Sequence, residues 1–216
     1  TPELHTDGAA TRLLYIDLGF GQYRLGGSIL SQVEPHIDSK ETPDLDSAPA
    51  LREVFAHMQQ WLHDERVLAC HDRSDGGLIA TLAEMAFASN CGLKLDFSPL
   101  LAHGITAAAA LFAEEPGLVI QVRAPDAMHM LAALVARAPI LDGHVHDLGT
   151  TVPGDAIDIT LEGLAVVALS RQALRTAWSS LTAQMATRRD DPDAAREEHA
   201  ARLAQVPLLT ARNPHC

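Results

Sequence analysis

The sequence predicts an α/β sandwich followed by a helical extension, and three observations predict it. Short apolar runs of strand length alternate with segments whose apolar residues recur at helical spacing. Hydrophobic residues make up 47% of the 216 positions and aromatics only 4%, so the core is built mostly from Ala, Leu, Val and Ile. Glycine- and proline-bearing stretches separate the runs where the chain must turn.

The elements follow in order. Leu13 to Leu18 is a short apolar run ending at Gly19 and reads as a buried strand. A glycine-rich stretch follows, and Leu25-Gly26-Gly27-Ser28 precedes a short apolar helix with Ile29, Leu30 and Val33. The polar, proline-bearing stretch from Glu34 to Pro49 reads as a surface connection. Leu51, Val54, Phe55, Met58, Trp61 and Leu62 then recur on one helical face. Val67 to Cys70 is a strand leading into a loop, and Leu78, Leu82, Met85 and Ala86 mark the helix beyond it. From Gly92 to Phe97, Leu93, Leu95 and Phe97 alternate with Lys94 and Asp96, which predicts a half-buried strand. Leu118 to Val122 is another strand. Pro125-Asp126 opens a helix, where a missing N–H costs nothing in the first turn. Residues 157–161 and 165–169, joined around Glu162-Gly163, form a β-hairpin. Ser170 can cap a helix carrying Leu174, Trp178, Leu181 and Met185, and Asp191-Pro192 restarts the chain as a charged helix to about Leu203. The stretch from Pro207 reads as an irregular linker.

Charge narrows the function classes. Sixteen basic and 28 acidic residues give −12, and only Lys40 and Lys94 are lysines. Such a surface repels phosphate, so no nucleic-acid or membrane partner is expected. Cys70, Cys91 and Cys216 lie far apart without metal-ligand spacing, which suits free thiols in the cytoplasm. No apolar run reaches the roughly 18 residues of a membrane span. A start at Thr1 and a stop after Asn213-Pro214-His215-Cys216 suggest a piece excised from a longer chain.

The chemistry concentrates between residues 67 and 89. A loop that opens a helix offers unpaired N–H groups and the positive end of the helix dipole. Gly76 and Gly77 would let a phosphate approach the backbone. Asp72 and Asp75 are hard oxygen ligands of the kind Mg²⁺ takes, and Ser74 can donate a hydroxyl to a phosphate oxygen. On spacing alone a plain cap explains the loop as well, with Ser74 or Asp75 capping and Asp72 solvated. No Walker-type lysine is present, so this is not a P-loop. Leu25-Gly26-Gly27-Ser28 reads first as a turn and cap, Glu114-Glu115 as a solvated turn, and His144 with His146 as a surface pair. A Cys70–His71 dyad fails, because neighbours on a strand point to opposite faces.

His71-Asp72-Arg73-Ser74-Asp75-Gly76-Gly77-Leu78, continuing through Thr81-Leu82-Ala83-Glu84-Met85-Ala86-Phe87, resembles the signature of phosphoribosylformylglycinamidine synthase. Leu25-Gly26-Gly27-Ser28, the stretch Leu111 to Glu115 with Val119 to Val122, and Trp178, Met185 and Arg189 to Asp193 fall in that family's order. The resemblance runs from about Leu13 to His199. Its departures are Gly-Gly-Ser where Gly-Ala-Thr is often seen, and Glu115-Pro116-Gly117 where Glu-Leu-Gly is common.

The resemblance implies the fold of the C-terminal domain of aminoimidazole ribonucleotide synthetase, here from the second such module of the large, single-chain synthase. It implies a segment over 1–50, a synthetase-like α/β domain over 51–170, and a helical linker over 171–216 toward a glutaminase domain. The activity implied is an ATP- and glutamine-dependent C–N ligase of purine biosynthesis. Its partners are the remaining domains of the same chain and small-molecule substrates. Asp72 matches the family's Mg²⁺ ligand and Ser74 its nucleotide-contacting serine. Both belong to an auxiliary site that keeps a structural ADP, so no catalytic residue is carried over. The fragment alone is expected to be inactive. A non-catalytic scaffold holding that ADP, or another ATP-dependent enzyme of the superfamily, are the alternatives. The tail from Trp178 to His199 argues against the shorter selenophosphate and thiamine-phosphate relatives.

Overall fold

In the computed structural model, residues 1–6, 8–34, 36–37 and 40–204 are described. Cys216 and the expected linker from Pro207 lie outside them. The chain divides into two compact units, Thr1–Arg171 and Gln172–Cys216.

The first unit is built on one mixed sheet. Its strands are β1 (Thr11–Asp17), β2 (Val67–Asp72), β3 (Gly92–Asp96), β4 (Gly117–Arg123), β5 (Val145–Val152), β6 (Ala156–Leu161) and β7 (Leu164–Ser170). Their spatial order is β2-β4-β1-β5-β3-β6-β7. All neighbours are antiparallel except β3 with β6. Among the described residues the α-helices that accompany it are α1 (Ile29–Val33), α2 (Ala48–His63), α3 (Gly77–Ser89), α4 (Ala107–Phe112) and α5 (Ala127–Arg137).

Strand alternation sorts the core into two layers. Leu14 and Ile16 of β1, with Ile120 and Val122 of β4, pack against Val54, Met58 and Trp61 of α2 and Met130 and Leu134 of α5. Leu13 and Tyr15 point the other way and are equally buried. On β2 the same alternation sends Cys70 toward the α2–α5 layer, while His71 reaches Glu84 of α3 on the opposite face. Helices therefore cover both faces of the sheet, which is why β1 reads as an unbroken apolar run rather than an alternating one.

Local chemistry sets the element ends. Ser47 caps α2 by accepting from the Ala50 N–H, with Pro49 in the first turn. The helix foreseen at Pro125 is entered through a 3₁₀ turn at Ala124–Asp126. Glu162 and Gly163 both take positive φ, 49° and 78°, the geometry that a two-residue hairpin between β6 and β7 demands. Gly149 on β5 sits where the β1–β5 register shifts, and a Cβ there would lie 2.2 Å from the Lys94 carbonyl oxygen. No side chain fits at that point.

The apolar stripe of α2 is wider than its contact with the core. Leu51, Phe55 and Leu62 are exposed, Phe55 by 61%, because the helix lies along the sheet margin. No helix among the described residues is long and apolar enough to cross a membrane.

The second unit carries α6 (Arg171–Arg189), which begins directly after β7, and α7 (Pro192–Leu203). The charged helix read after Asp191-Pro192 is present, and Asp191 caps it by accepting from the N–H groups of Asp193 and Ala194, with Pro192 in the first turn. A hydrogen bond between Ser179 Oγ and His199 Nε2, at 2.9 Å, ties the two helices. Trp178, Leu181 and Met185 form an exposed stripe on α6.

Candidate functional site

The segment from β2 to α3 presents the predicted residues at one place. Asp72 is the last residue of β2, and its side chain is 73% exposed. Its Oδ1 lies 3.2 Å from His71 Nδ1, and His71 Nε2 lies 3.1 Å from Glu84 Oε2. Ser74 follows in the loop, half-buried, with its carbonyl accepting from the Gly77 N–H at 3.0 Å. Asp75 is exposed.

Of the cap alternative, the solvated Asp72 and the glycine turn are present, but the side-chain cap is not. Gly76 occupies the position before α3 with φ 86°, and no side chain makes a capping hydrogen bond there. Neither the Ser74 hydroxyl nor the Asp75 carboxylate is therefore spent on the helix, and the Gly76 N–H is met from a distance by Glu114 Oε1 at 2.8 Å. The glycines also have a structural reason of their own. Gly77 has φ 74°, and a Cβ on it would lie 2.6 Å from the Phe112 carbonyl carbon at the end of α4. Its missing side chain serves helix packing rather than a phosphate.

The glycine-rich turn behaves as read: Ser28 caps α1, accepting from the Ser31 N–H at 3.2 Å. Glu114 and Glu115 correct the expectation of a solvated turn. Glu114 Oε1 also accepts from the Ile29 N–H at 2.9 Å, so one oxygen joins the start of α1 to the loop before α3. Glu115 is fully buried and held by Arg24 through Nε and Nη2, each at 2.7 Å. That contact and Asp46 raise the Arg24 pKa further above its already high value.

Beneath the loop lies a buried polar centre. Asp17 accepts from the Tyr15 hydroxyl at 3.0 Å and from the N–H groups of Gly19 and Gly21 at 3.0 and 2.8 Å. Arg73, its side chain fully buried, points Nη2 at Asp17 Oδ1 across 3.5 Å and donates from Nε to the Glu115 carbonyl. Its guanidinium also lies 5.2 and 5.8 Å from the Tyr15 and Tyr23 ring centroids. Burial pushes both phenols well above their ordinary value of 10.0. Asp17, Arg73, Arg24 and Glu115 were not singled out by sequence as partners, because 22 to 91 residues separate each charged group from the opposite charges it meets. The alternation Asp72-Arg73-Ser74, with the basic residue directed inward, was the available signal.

His146 is also corrected. It is 6% exposed and stacks on Tyr15 with centroids 6.0 Å apart, because β5 is a central strand. His144 meets the edge of Phe20 instead. Cys70 is half-buried and Cys91 buried; burial raises both thiols above 9.0, which suits inert core residues.

Asp72 stands at the end of an open groove of about 430 Å³. Leu51, Phe55 and Leu62 of α2 form one wall, and Leu18, Pro116 and Leu118 line the other side. The exposed half of the α2 stripe thus has a place in the structure. Among the described residues no group of three or more His, Cys, Asp or Glu could hold a metal ion. Asp72 offers one hard oxygen ligand, and that suits Mg²⁺, which takes one or two carboxylates and completes its octahedron with phosphate oxygens and water.

Comparison with known proteins agrees with this architecture. Residues 18–162 match the family described as AIR synthase related protein, C-terminal domain. T. maritima PurL complexed with FGAR has a similar fold, with TM-score 0.62 and 13% identity over 80% of this chain and 29% of that one. T. maritima PurL complexed with ATP gives 0.58 and 11% over 80% and 27%. E. coli HypE, a hydrogenase maturation protein, gives 0.50 and 24% over 76% and 51%. The chain spans between about a quarter and a half of the length of these proteins. At such identities the likeness is one of fold, whereas the family match covers most of the sequence. The chain belongs to the family of AIR synthase related protein C-terminal domains.

Proposed function

We propose that this chain supplies one wall of a Mg²⁺–nucleotide site in an ATP-dependent synthetase, with Asp72 as metal ligand and Ser74 as phosphate donor. The observation that carries the reading is the loop itself. It leaves Asp72 exposed and the Ser74 hydroxyl unspent on capping at the start of α3, beside an open groove. Asp72 would hold the cation through its carboxylate, and Ser74 would donate to a phosphate oxygen. When bound, Mg²⁺ neutralises phosphate charge that Asp72 alone would repel.

The signature around Asp72 supports a finer reading, the phosphoribosylformylglycinamidine synthase reaction. There formylglycinamide ribonucleotide, ATP, glutamine and water give the amidine, ADP, phosphate and glutamate. ATP activates the amide oxygen as a phosphate ester, and ammonia released from glutamine displaces it. Solved relatives carry FGAR, ATP and ADP in their complexes. The first synthetase module and the glutaminase domain would complete the enzyme in the cytoplasm.

A second reading keeps the nucleotide but removes it from catalysis. The resemblance implies an auxiliary site with structural ADP at Asp72 and Ser74, which would make this domain a scaffold within the same enzyme. The intact polypeptide containing this chain is assayed for Mg²⁺-dependent amidine formation from formylglycinamide ribonucleotide, ATP and glutamine. Product is expected; its absence overturns the synthase reading.

A further inference from the structure

Asp72 does not stand alone on its strand. His71 lies between two carboxylates, with Nδ1 3.2 Å from Asp72 Oδ1 and Nε2 3.1 Å from Glu84 Oε2. A carboxylate oxygen only accepts, so a contact here is a hydrogen bond where the facing ring nitrogen carries a proton, and the Nδ1–H form of the ring donates to Asp72. Glu84 sits on α3, which is packed into the core through Leu82, Met85 and Ala86. The ring thus lies between the packed helix and the aspartate. The side chains of His71 and Glu84 are 18% and 29% exposed, against 73% for Asp72. The arrangement is a chain of contacts running from a packed helix out to an exposed ligand oxygen.

We infer that His71 is a positioning residue that presents Asp72 to a cation through one oxygen only, and so selects a small octahedral cation over a larger one. The inference rests on the reading of Asp72 as a metal ligand. With Oδ1 engaged by the ring, Oδ2 is the oxygen left to bind. Mg²⁺ is satisfied by single-oxygen ligation in a strict octahedron, whereas Ca²⁺ takes more ligands and commonly chelates a carboxylate through both oxygens. Chelation at Asp72 would set the cation in competition with the His71 N–H. An orienting partner of this kind also reduces the freedom that an exposed aspartate must lose on binding.

The test uses the intact polypeptide, stripped of metal and nucleotide, with Mg²⁺ and Ca²⁺ titrated separately by calorimetry in the presence of ADP. His71→Ala is expected to weaken Mg²⁺ binding by about 10- to 100-fold, the range for losing an outer-shell partner. Ca²⁺ binding falls far less, so the preference for Mg²⁺ shrinks. His71→Asn places an amide N–H near the Nδ1 position and restores most of that preference. Glu84→Ala, which removes the far end of the chain, shifts the preference in the same direction by less, and serves where His71→Ala does not fold. An unchanged Mg²⁺/Ca²⁺ ratio in both His71→Ala and Glu84→Ala overturns the inference, as does an equal loss for both cations accompanied by a lower Tm. Asp72→Ala separates the two levels. Metal binding unaffected by Asp72→Ala sinks the reading of Asp72 itself, whereas binding lost there but indifferent to His71 and Glu84 sinks only the positioning role.

Discussion

Removing the Asp17 carboxylate should destabilise the first unit more than any exposed substitution. Asp17 is 1% exposed and faces an Arg73 side chain with no exposure at all. Asp17→Ala leaves that guanidinium buried without its carboxylate, and breaking a buried pair from one side costs about 3–5 kcal/mol. It also strips the acceptor from the Gly19 and Gly21 N–H groups, each of which adds to the loss where water cannot reach it. For a domain of this size the pair alone corresponds to a fall in Tm of roughly 6–20 °C. Thermal unfolding followed by circular dichroism measures it. The double variant Asp17→Ala with Arg73→Met should recover at least about 2 kcal/mol, because the stranded charge is then gone. An Asp17→Ala variant within about 1 kcal/mol of wild type would refute the reasoning. So would a double variant no better than the sum of its singles.

Other outcomes follow from the same geometry. Gly77→Ala forces a left-handed φ and drives a Cβ into the Phe112 backbone, so it should cost about 2–4 kcal/mol in urea unfolding. Stability should also decline in alkali. Tyr15 and Tyr23 stay protonated in the fold above their ordinary 10.0, and Cys70 above 9.0, chiefly through burial. The unfolded chain ionises at the ordinary values, so stability is intact below pH 9 and falls as pH rises through 9 and 10. A Tm series from pH 8 to 11 measures this, and Tyr15→Phe should flatten its upper part. Glu114→Ala should loosen both loops it joins, read as faster amide exchange at Ile29 and Gly76, whereas Glu114→Gln keeps the accepting oxygen and should retain most of the protection.

What the sequence made legible was local. Strand alternation at Leu93 and Leu95, helical spacing at Val54, Met58 and Trp61, and the Asp191-Pro192 restart each depend on neighbours a few residues away, and each appears as read. Asp72 and Ser74 were found by motif, and the structure gives their loop a geometry that the motif could not. Helix α4 is six residues rich in alanine, too short for a periodic signal. Glu115 resembled a turn residue because the arginine that buries it lies 91 positions earlier. His146 looked like a surface residue because nothing nearby says that β5 lies in the middle of the sheet. Long-range pairing decided both, and such pairing leaves no trace in spacing.

The central claim is that Asp72 holds a nucleotide through its metal. The most direct measurement is the nucleotide content of the purified intact polypeptide after extensive desalting, wild type beside Asp72→Ala. Retained ADP in the wild type and none in the variant is the predicted result, with both proteins folded by circular dichroism. Equal retention in the two, or none in either, would contradict the claim and leave Asp72 a solvated residue at the end of its strand.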